Sequence, residues 1–207
     1  MPYSPKKRSI YIWIPKTAGS SLAKGFKRRR VFKQDGRSHL WGRIPVELRE
    51  TLSAGNWQHL SARSVRHEVG ADSWEQCFKF TFVRNPFDRA VSFYEYSKSA
   101  RKDPSSIQYG QPDPGSFEEW FEREQPLGQL HYVTDSDGEL MVDYVGKYEN
   151  LRSDALHICL KMNIIPIRIP HLNKSTRGRY QDYFTPRLRR EAESLYAEEL
   201  SFFDYEF

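Results

Sequence analysis

SIYIWIPKTAGSSLAKGF, residues 9–26, decides the fold. Ser9 to Ile14 is short, apolar, β-branched and aromatic, the pattern of a buried strand, and it stops at Pro15, which cannot donate to a central ladder. Lys16 to Ser21 is small and polar. Leu22 to Arg30 consists of helix formers, with Leu22 and Phe26 four apart on one face. The order is strand, tight loop, helix.

The same order recurs downstream. Cys77–Val83 (CFKFTFV) alternates and is rich in aromatics, so it reads as a strand. Pro86 opens a helix to about Ala100, with Phe87, Ala90, Val91 and Tyr94 on one face. Pro45–Ala54 reads as a helix, Trp57–Leu60 as a short strand, Tyr144–Tyr148 as a strand and Leu151–Met162 as a helix. Thr185 caps a last helix from Pro186, with Leu188, Ala192, Leu195 and Tyr196 facing the core. Arg101–Gly115 (RKDPSSIQYGQPDPG) has no period and is predicted to be an exposed loop, long enough for a binding or lid element. Short strands alternating with helices predict an α/β fold: a single domain over 1–207, with a central, mostly parallel sheet flanked by helices. Ligands of such sheets bind beyond the carboxyl ends of the strands, where both loops fall.

The bulk composition agrees. A chain of 207 residues suits one core. With 38% hydrophobic and 29% charged residues it is globular and not disordered. Lys and Arg number 32 against 27 acids, a net +5 that weakly favours anionic ligands. The run Lys27, Arg28, Arg29, Arg30 reads as the solvated end of a helix, not a nucleic-acid surface. Cys77 and Cys159 lack CxxC spacing and lie in apolar segments, so buried free thiols are expected. No apolar run approaches the ~18 residues of a membrane span, and the basic stretch Met1–Ser9 leads into too few apolar residues for a signal peptide. A cytoplasmic protein, or a chain trimmed of its anchor, is expected, with no nucleic-acid partner.

Pro15-Lys16-Thr17-Ala18-Gly19-Ser20-Ser21 suits a phosphate. Small residues let backbone N–H groups approach, the helix N-terminus adds roughly half a positive charge, hydroxyls donate, and Lys16 brings a full charge. An ordinary capped turn is the alternative. The lysine precedes the glycine, so the stretch is not the G-x-x-x-x-G-K-[ST] loop of nucleotide hydrolases. In Phe82-Val83-Arg84-Asn85-Pro86-Phe87-Asp88-Arg89-Ala90-Val91-Ser92, Arg84 leaves the sheet edge and Ser92 lies about two turns along the helix, so both can reach one phosphate. Asp88 and Arg89 face other directions and tie the loop together. A structural ion pair is the alternative reading of Arg84.

Ile14–Leu22 (IPKTAGSSL) and Phe82–Tyr94 (FVRNPFDRAVSFY) resemble, in order and spacing, the 5'-phosphosulfate and 3'-phosphate motifs of sulfotransferases that use 3'-phosphoadenosine 5'-phosphosulfate. His171–Thr176 (HLNKST) resembles their late nucleotide-covering loop. The likeness spans nearly the whole chain and is closest to carbohydrate sulfotransferases of the uronyl and heparan 2-O type. It implies their P-loop-like fold and a donor that leaves as adenosine 3',5'-bisphosphate, with no metal. It implies that Lys16 balances charge on the leaving phosphate, that Thr17, Ala18, Gly19, Ser20 and Ser21 cradle it, and that Arg84 and Ser92 grip the 3'-phosphate. Asn173 and Lys174 would cover the nucleotide. His59, between the motifs on a presumed strand end, is the implied general base of an in-line displacement. His39 is the runner-up, His171 falls to the nucleotide loop, and Glu149 reads more simply as a glutamate at a helix N-terminus.

The acceptor is a hydroxyl, of a glycan or a small molecule. Trp41, Trp57, Tyr94, Tyr96 and Tyr109 suit a sugar, and Arg37, Arg43 and Arg63 an acidic one. Two other classes compete: a kinase-like phosphotransferase needing magnesium, and a non-catalytic polyanion-binding module.

Overall fold

Each residue of Ser9–Ile12 is buried, as the run of apolar residues requires of a strand inside a sheet. The computed structural model describes residues 3–29, 31–32, 59–106, 108–170 and 177–207. Its strands are β1 (Tyr3–Ser4), β2 (Ser9–Ile12), β3 (Phe78–Val83) and β4 (Tyr144–Lys147), in spatial order β1-β2-β3-β4. β1 pairs antiparallel with β2 at the edge, and β2, β3 and β4 run parallel, with Tyr11 opposite Phe80 and Phe80 opposite Tyr144. The sheet is therefore mostly parallel, as the strand and helix alternation predicts.

The chain divides into two compact units, Met1–Val83 with Gln129–Leu172 and Arg84–Gly128 with Asn173–Phe207. The first holds the sheet with helices α1 (Gly19–Arg28), α2 (Ala62–Val69), α3 (Ala71–Glu75), α6 (Leu130–Val133) and α7 (Leu151–Lys161); the second holds α4 (Pro86–Ala100), α5 (Phe117–Glu124), α8 (Pro186–Leu195) and α9 (Ala197–Phe203).

In the first unit Tyr11, Phe80 and Phe82 pack on Leu22 and Phe26 of α1 and on Ala155, Ile158 and Cys159 of α7. Ile10 and Ile12 point to the opposite face by the two-residue alternation and are fully buried too, so both faces of the sheet are covered. Asp154 of α7 ties β4 to its helix, accepting from the Lys147 N–H at 2.7 Å and the Tyr144 hydroxyl at 3.1 Å. Cys77 and Cys159 are free and buried, and burial pushes both thiols up, away from the reactive thiolate. Lys27, Arg28 and Arg29 are exposed at the end of α1, where their charge meets the negative end of the helix.

In the second unit the predicted face Phe87, Ala90, Val91, Tyr94 is buried against Phe117, Trp120, Phe121, Leu188, Ala192 and Tyr196. α4 starts where Pro86 predicts. The Asn85 side-chain oxygen accepts from the N–H groups of Phe87 at 3.0 Å and Asp88 at 3.4 Å, and its amide donates to the Glu206 carbonyl at 2.7 Å. Asn85→Ala is therefore expected to cost about 1–2 kcal/mol through the lost cap, with a further cost from the stranded carbonyl, read as a lower urea midpoint. α5 carries a full capping box between Ser116 and Glu119, whose carboxyl is held below its ordinary range by the Ser116 N–H and hydroxyl.

Several boundaries differ from expectation. The first strand ends at Ile12, not Ile14, and α1 begins at Gly19, three residues before Leu22. His59 and Leu60 are irregular and lead into Ser61, which caps α2, so they do not end a strand. Leu195, the last residue of α8, is 46% exposed and not in the core, because the helix breaks at Tyr196. The helix over 45–54 and residues 57–58 lie outside the described residues. The described part of 101–115 is irregular, as expected. Among the described residues no helix is long and apolar enough to cross a membrane.

Candidate functional site

The β2–α1 turn is built from an unusual backbone. Lys16 and Ala18 both adopt left-handed conformations, with φ of 68° and 67°, although neither is glycine. Each costs about 1–2 kcal/mol for a residue with a Cβ. Such strain persists where surrounding contacts over-determine it, and it gathers at ligand clamps. Here Thr17, fully buried between the two, donates its hydroxyl to the Ile14 carbonyl at 2.9 Å. Thr17 thus anchors the turn inward. Left-handed residues in alternation turn successive N–H groups toward one side, the concavity that binds anions.

The same turn feeds the positive end of α1. The N-cap, Ala18, offers no side-chain cap and no acid sits in the first turn of the helix, so among the described residues its dipole faces whatever the loop holds. Lys16 is half-buried, Ser20 exposed and Ser21 buried. Gly19 is required by close approach: a Cβ built there falls 1.5 Å from Nε1 of Trp13.

Trp13 also meets the predicted base. His59 Nδ1 lies 2.8 Å from the Trp13 carbonyl, and the two rings touch edge to face at 5.4 Å. A carbonyl only accepts, so Nδ1 carries the hydrogen and the basic lone pair of the neutral ring is on Nε2. His59 is 9% exposed. The fold thus brings His59, 46 residues downstream, onto the strand end that leads into Lys16.

In the second unit, Arg84 follows β3 and its side chain is 9% exposed. Asp88 Oδ2 accepts from its Nε at 2.7 Å and lies 2.6 Å from its Nη2. The other oxygen of Asp88 is bound by Arg177 Nη2. Asp88 therefore does not face away, as the sequence reading has it. Arg89 does serve structure: it is 1% exposed, its Nη1 donates to the Leu127 carbonyl at 2.9 Å, and its guanidinium lies over Phe93. Ser92 sits one turn beyond Asp88 on the same face of α4 and is half-buried.

The remaining candidates scatter. His67 and His157 are exposed, the latter stacked on Tyr144. Glu149 is exposed in the short 3-10 turn Tyr148–Asn150 ahead of α7. Tyr94 is corrected from a sugar platform to a core residue: it is 7% exposed and its hydroxyl donates to the Gly115 carbonyl. Tyr96 and Tyr109 are exposed. Asn173, Lys174, His171, His39, Trp41, Trp57, Arg37 and Arg43 lie outside the described residues. Trp13 and Arg177 carry no role in the sequence reading, and Asp88 only that of tying the loop together. An i,i+4 pairing of Arg84 with Asp88 was readable; nothing local marks Arg177.

A model of the sulfotransferase family matches residues 2–206. Among solved structures the chain resembles mouse sulfotransferase SULT7A1 complexed with PAP, with a TM-score of 0.54 and 16% identity, over 96% of this chain and 85% of that one. At that identity the likeness is one of fold. No curated protein sequence matches the chain.

Proposed function

The chain belongs to the sulfotransferase family, and we propose that it transfers a sulfuryl group from 3'-phosphoadenosine 5'-phosphosulfate to a hydroxyl of a carbohydrate by in-line displacement. The observation that carries this reading is His59, held by the Trp13 carbonyl at the entrance to a strained loop whose helix end is uncapped. That loop fits the phosphosulfate by its backbone geometry and its positive helix end. The mouse protein of similar fold, described with PAP, is consistent with this donor.

The donor, when bound, supplies the sulfuryl group and a bisphosphate leaving group. His59 Nε2 takes the proton of the acceptor hydroxyl, a role worth about 10²- to 10⁴-fold. Lys16 and the N–H groups from Thr17 to Ser21 offset charge on the leaving phosphate, worth about 10²- to 10³-fold per well-placed donor. Arg84 and Ser92 hold the 3'-phosphate, and Asn173 and Lys174 cover the nucleotide. The carbohydrate acceptor rests on the likeness of Ile14–Leu22, together with His59, to the uronyl 2-O enzymes. A cytoplasmic setting fits two buried free thiols, which a reducing compartment preserves.

Calorimetric titration with adenosine 3',5'-bisphosphate against adenosine 5'-monophosphate, without magnesium, tests the reading. Selective binding of the bisphosphate, lost in Arg84→Ala, is expected. Equal or absent binding overturns it. Binding of ATP only with magnesium would instead point to a phosphotransferase, and retention on an anionic resin without nucleotide binding to a polyanion module.

A further inference from the structure

Asp88 is a single carboxylate shared by two nearly buried guanidiniums. The Arg84 and Arg177 side chains are 9% and 10% exposed and Asp88 is 17% exposed. Both oxygens of Asp88 are occupied, Oδ2 by Arg84 and Oδ1 by Arg177, residues 89 positions apart from Asp88 in the second case. Two cations and one anion leave a cluster of net positive charge. Arg177 Nη1 is buried and has no hydrogen-bond partner among the described residues. A guanidinium N–H withheld from water and unmet by the described residues is a donor suited to an anion.

We propose that Asp88 is a positioning residue that assembles Arg84 and Arg177 into one preformed site for a phosphate monoester dianion. This rests on the reading that the second loop takes the 3'-phosphate. Two guanidiniums brought together without a counter-charge repel, and water between them is scarce at this burial. Asp88 supplies the counter-charge in the unliganded protein, so the ligand does not have to gather the pair itself. Preorganisation of this kind raises affinity by cutting the ordering cost of binding. Removing the carboxylate also removes its repulsion of the phosphate, which acts the other way. Positioning wins because both carboxylate oxygens are already engaged by cations, which leaves little net repulsion to relieve.

The sign of the effect therefore decides the matter. In Asp88→Asn, affinity for adenosine 3',5'-bisphosphate should fall about tenfold while affinity for adenosine 5'-monophosphate stays within about twofold, and the donor KM should rise with little change in kcat. Arg177→Gln should lose a similar factor, and the double variant no more than the worse single, since the two act as one unit. A purely structural role for Asp88 in the first turn of α4 would lower the melting temperature without changing the ratio of the two nucleotide affinities. Equal or tighter bisphosphate binding in Asp88→Asn, or additive losses in the double variant, overturns the proposal. Should Asp88→Asn fail to fold, Asp88→Glu keeps the charge and displaces the clamp: a reduced bisphosphate preference supports positioning, and an unchanged one overturns it. If the wild-type protein itself shows no preference for the bisphosphate, the functional reading fails and the inference falls with it. If the preference is present and survives Asp88→Asn, only the inference fails.

Discussion

His59→Ala is expected to lower kcat by about 10²- to 10⁴-fold while binding adenosine 3',5'-bisphosphate as the wild-type protein does. The separation follows from where His59 is held. Trp13, at the strand end ahead of the loop, holds it through its carbonyl and ring, whereas the Thr17 hydroxyl anchors the loop separately, to the Ile14 carbonyl. Lys16→Ala should behave differently and damage nucleotide affinity and turnover together, because the proposed role uses its charge in the ground state and more strongly as the phosphate leaves. Single-turnover rates and calorimetry on both variants read the contrast. Full turnover in His59→Ala would remove histidine as the base and leave the anion loop untouched.

Gly19→Ala should cost at least about 10²-fold in turnover and weaken bisphosphate binding in parallel. The added Cβ would fall 1.5 Å from Nε1 and 2.0 Å from Cε2 of Trp13, far inside contact distance. The indole cannot yield by a small amount. It is a rigid ring turned parallel to the fully buried Tyr11 at 6.2 Å and set edge to face against His59. Either the indole swings and takes away the ring that packs edge to face on His59, or the start of α1 backs away and opens the loop. Displacements of about 1 Å in a catalytic array cost on the order of 10²-fold. Trp13→Ala in the same chain makes room for the methyl, so the double variant should recover bisphosphate affinity even where turnover stays low. Gly19→Ala binding and turning over like the wild type would mean that Trp13 is not what forbids a side chain there.

Much of the fold is readable from local signals. Ser9–Ile12 and Phe78–Val83 are apolar enough to be strands buried on both faces, and Pro86 and Thr185 each mark a helix start through backbone rules that need no tertiary context. α5 carries an equally local signal, the Ser116–Glu119 capping box, set within a charged stretch. His59 and Leu60 do not form the strand end expected from the sequence, because two residues beside aromatics carry no period of their own. The site divides in the same way. Lys16 to Ser21 and Arg84 to Ser92 are contiguous motifs and stand out, whereas the Trp13 ring over Gly19 depends on how the chain turns back within six residues and the Arg177 grip on Asp88 on how distant segments meet. Sequence spacing cannot report the second kind. The left-handed backbone at Lys16 and Ala18 is a third case, since neither residue type announces a positive φ.

The bond from His59 to the Trp13 carbonyl is the same in both charge states of the ring. A neutral imidazole protonated at Nδ1 donates it, and so does the imidazolium formed when Nε2 accepts a proton. No ring flip, tautomer exchange or backbone adjustment is then needed between one turnover and the next. In the mechanism proposed above, the enzyme resets by shedding one proton from the nitrogen that received it, with the imidazole fixed throughout like a key that never leaves its lock.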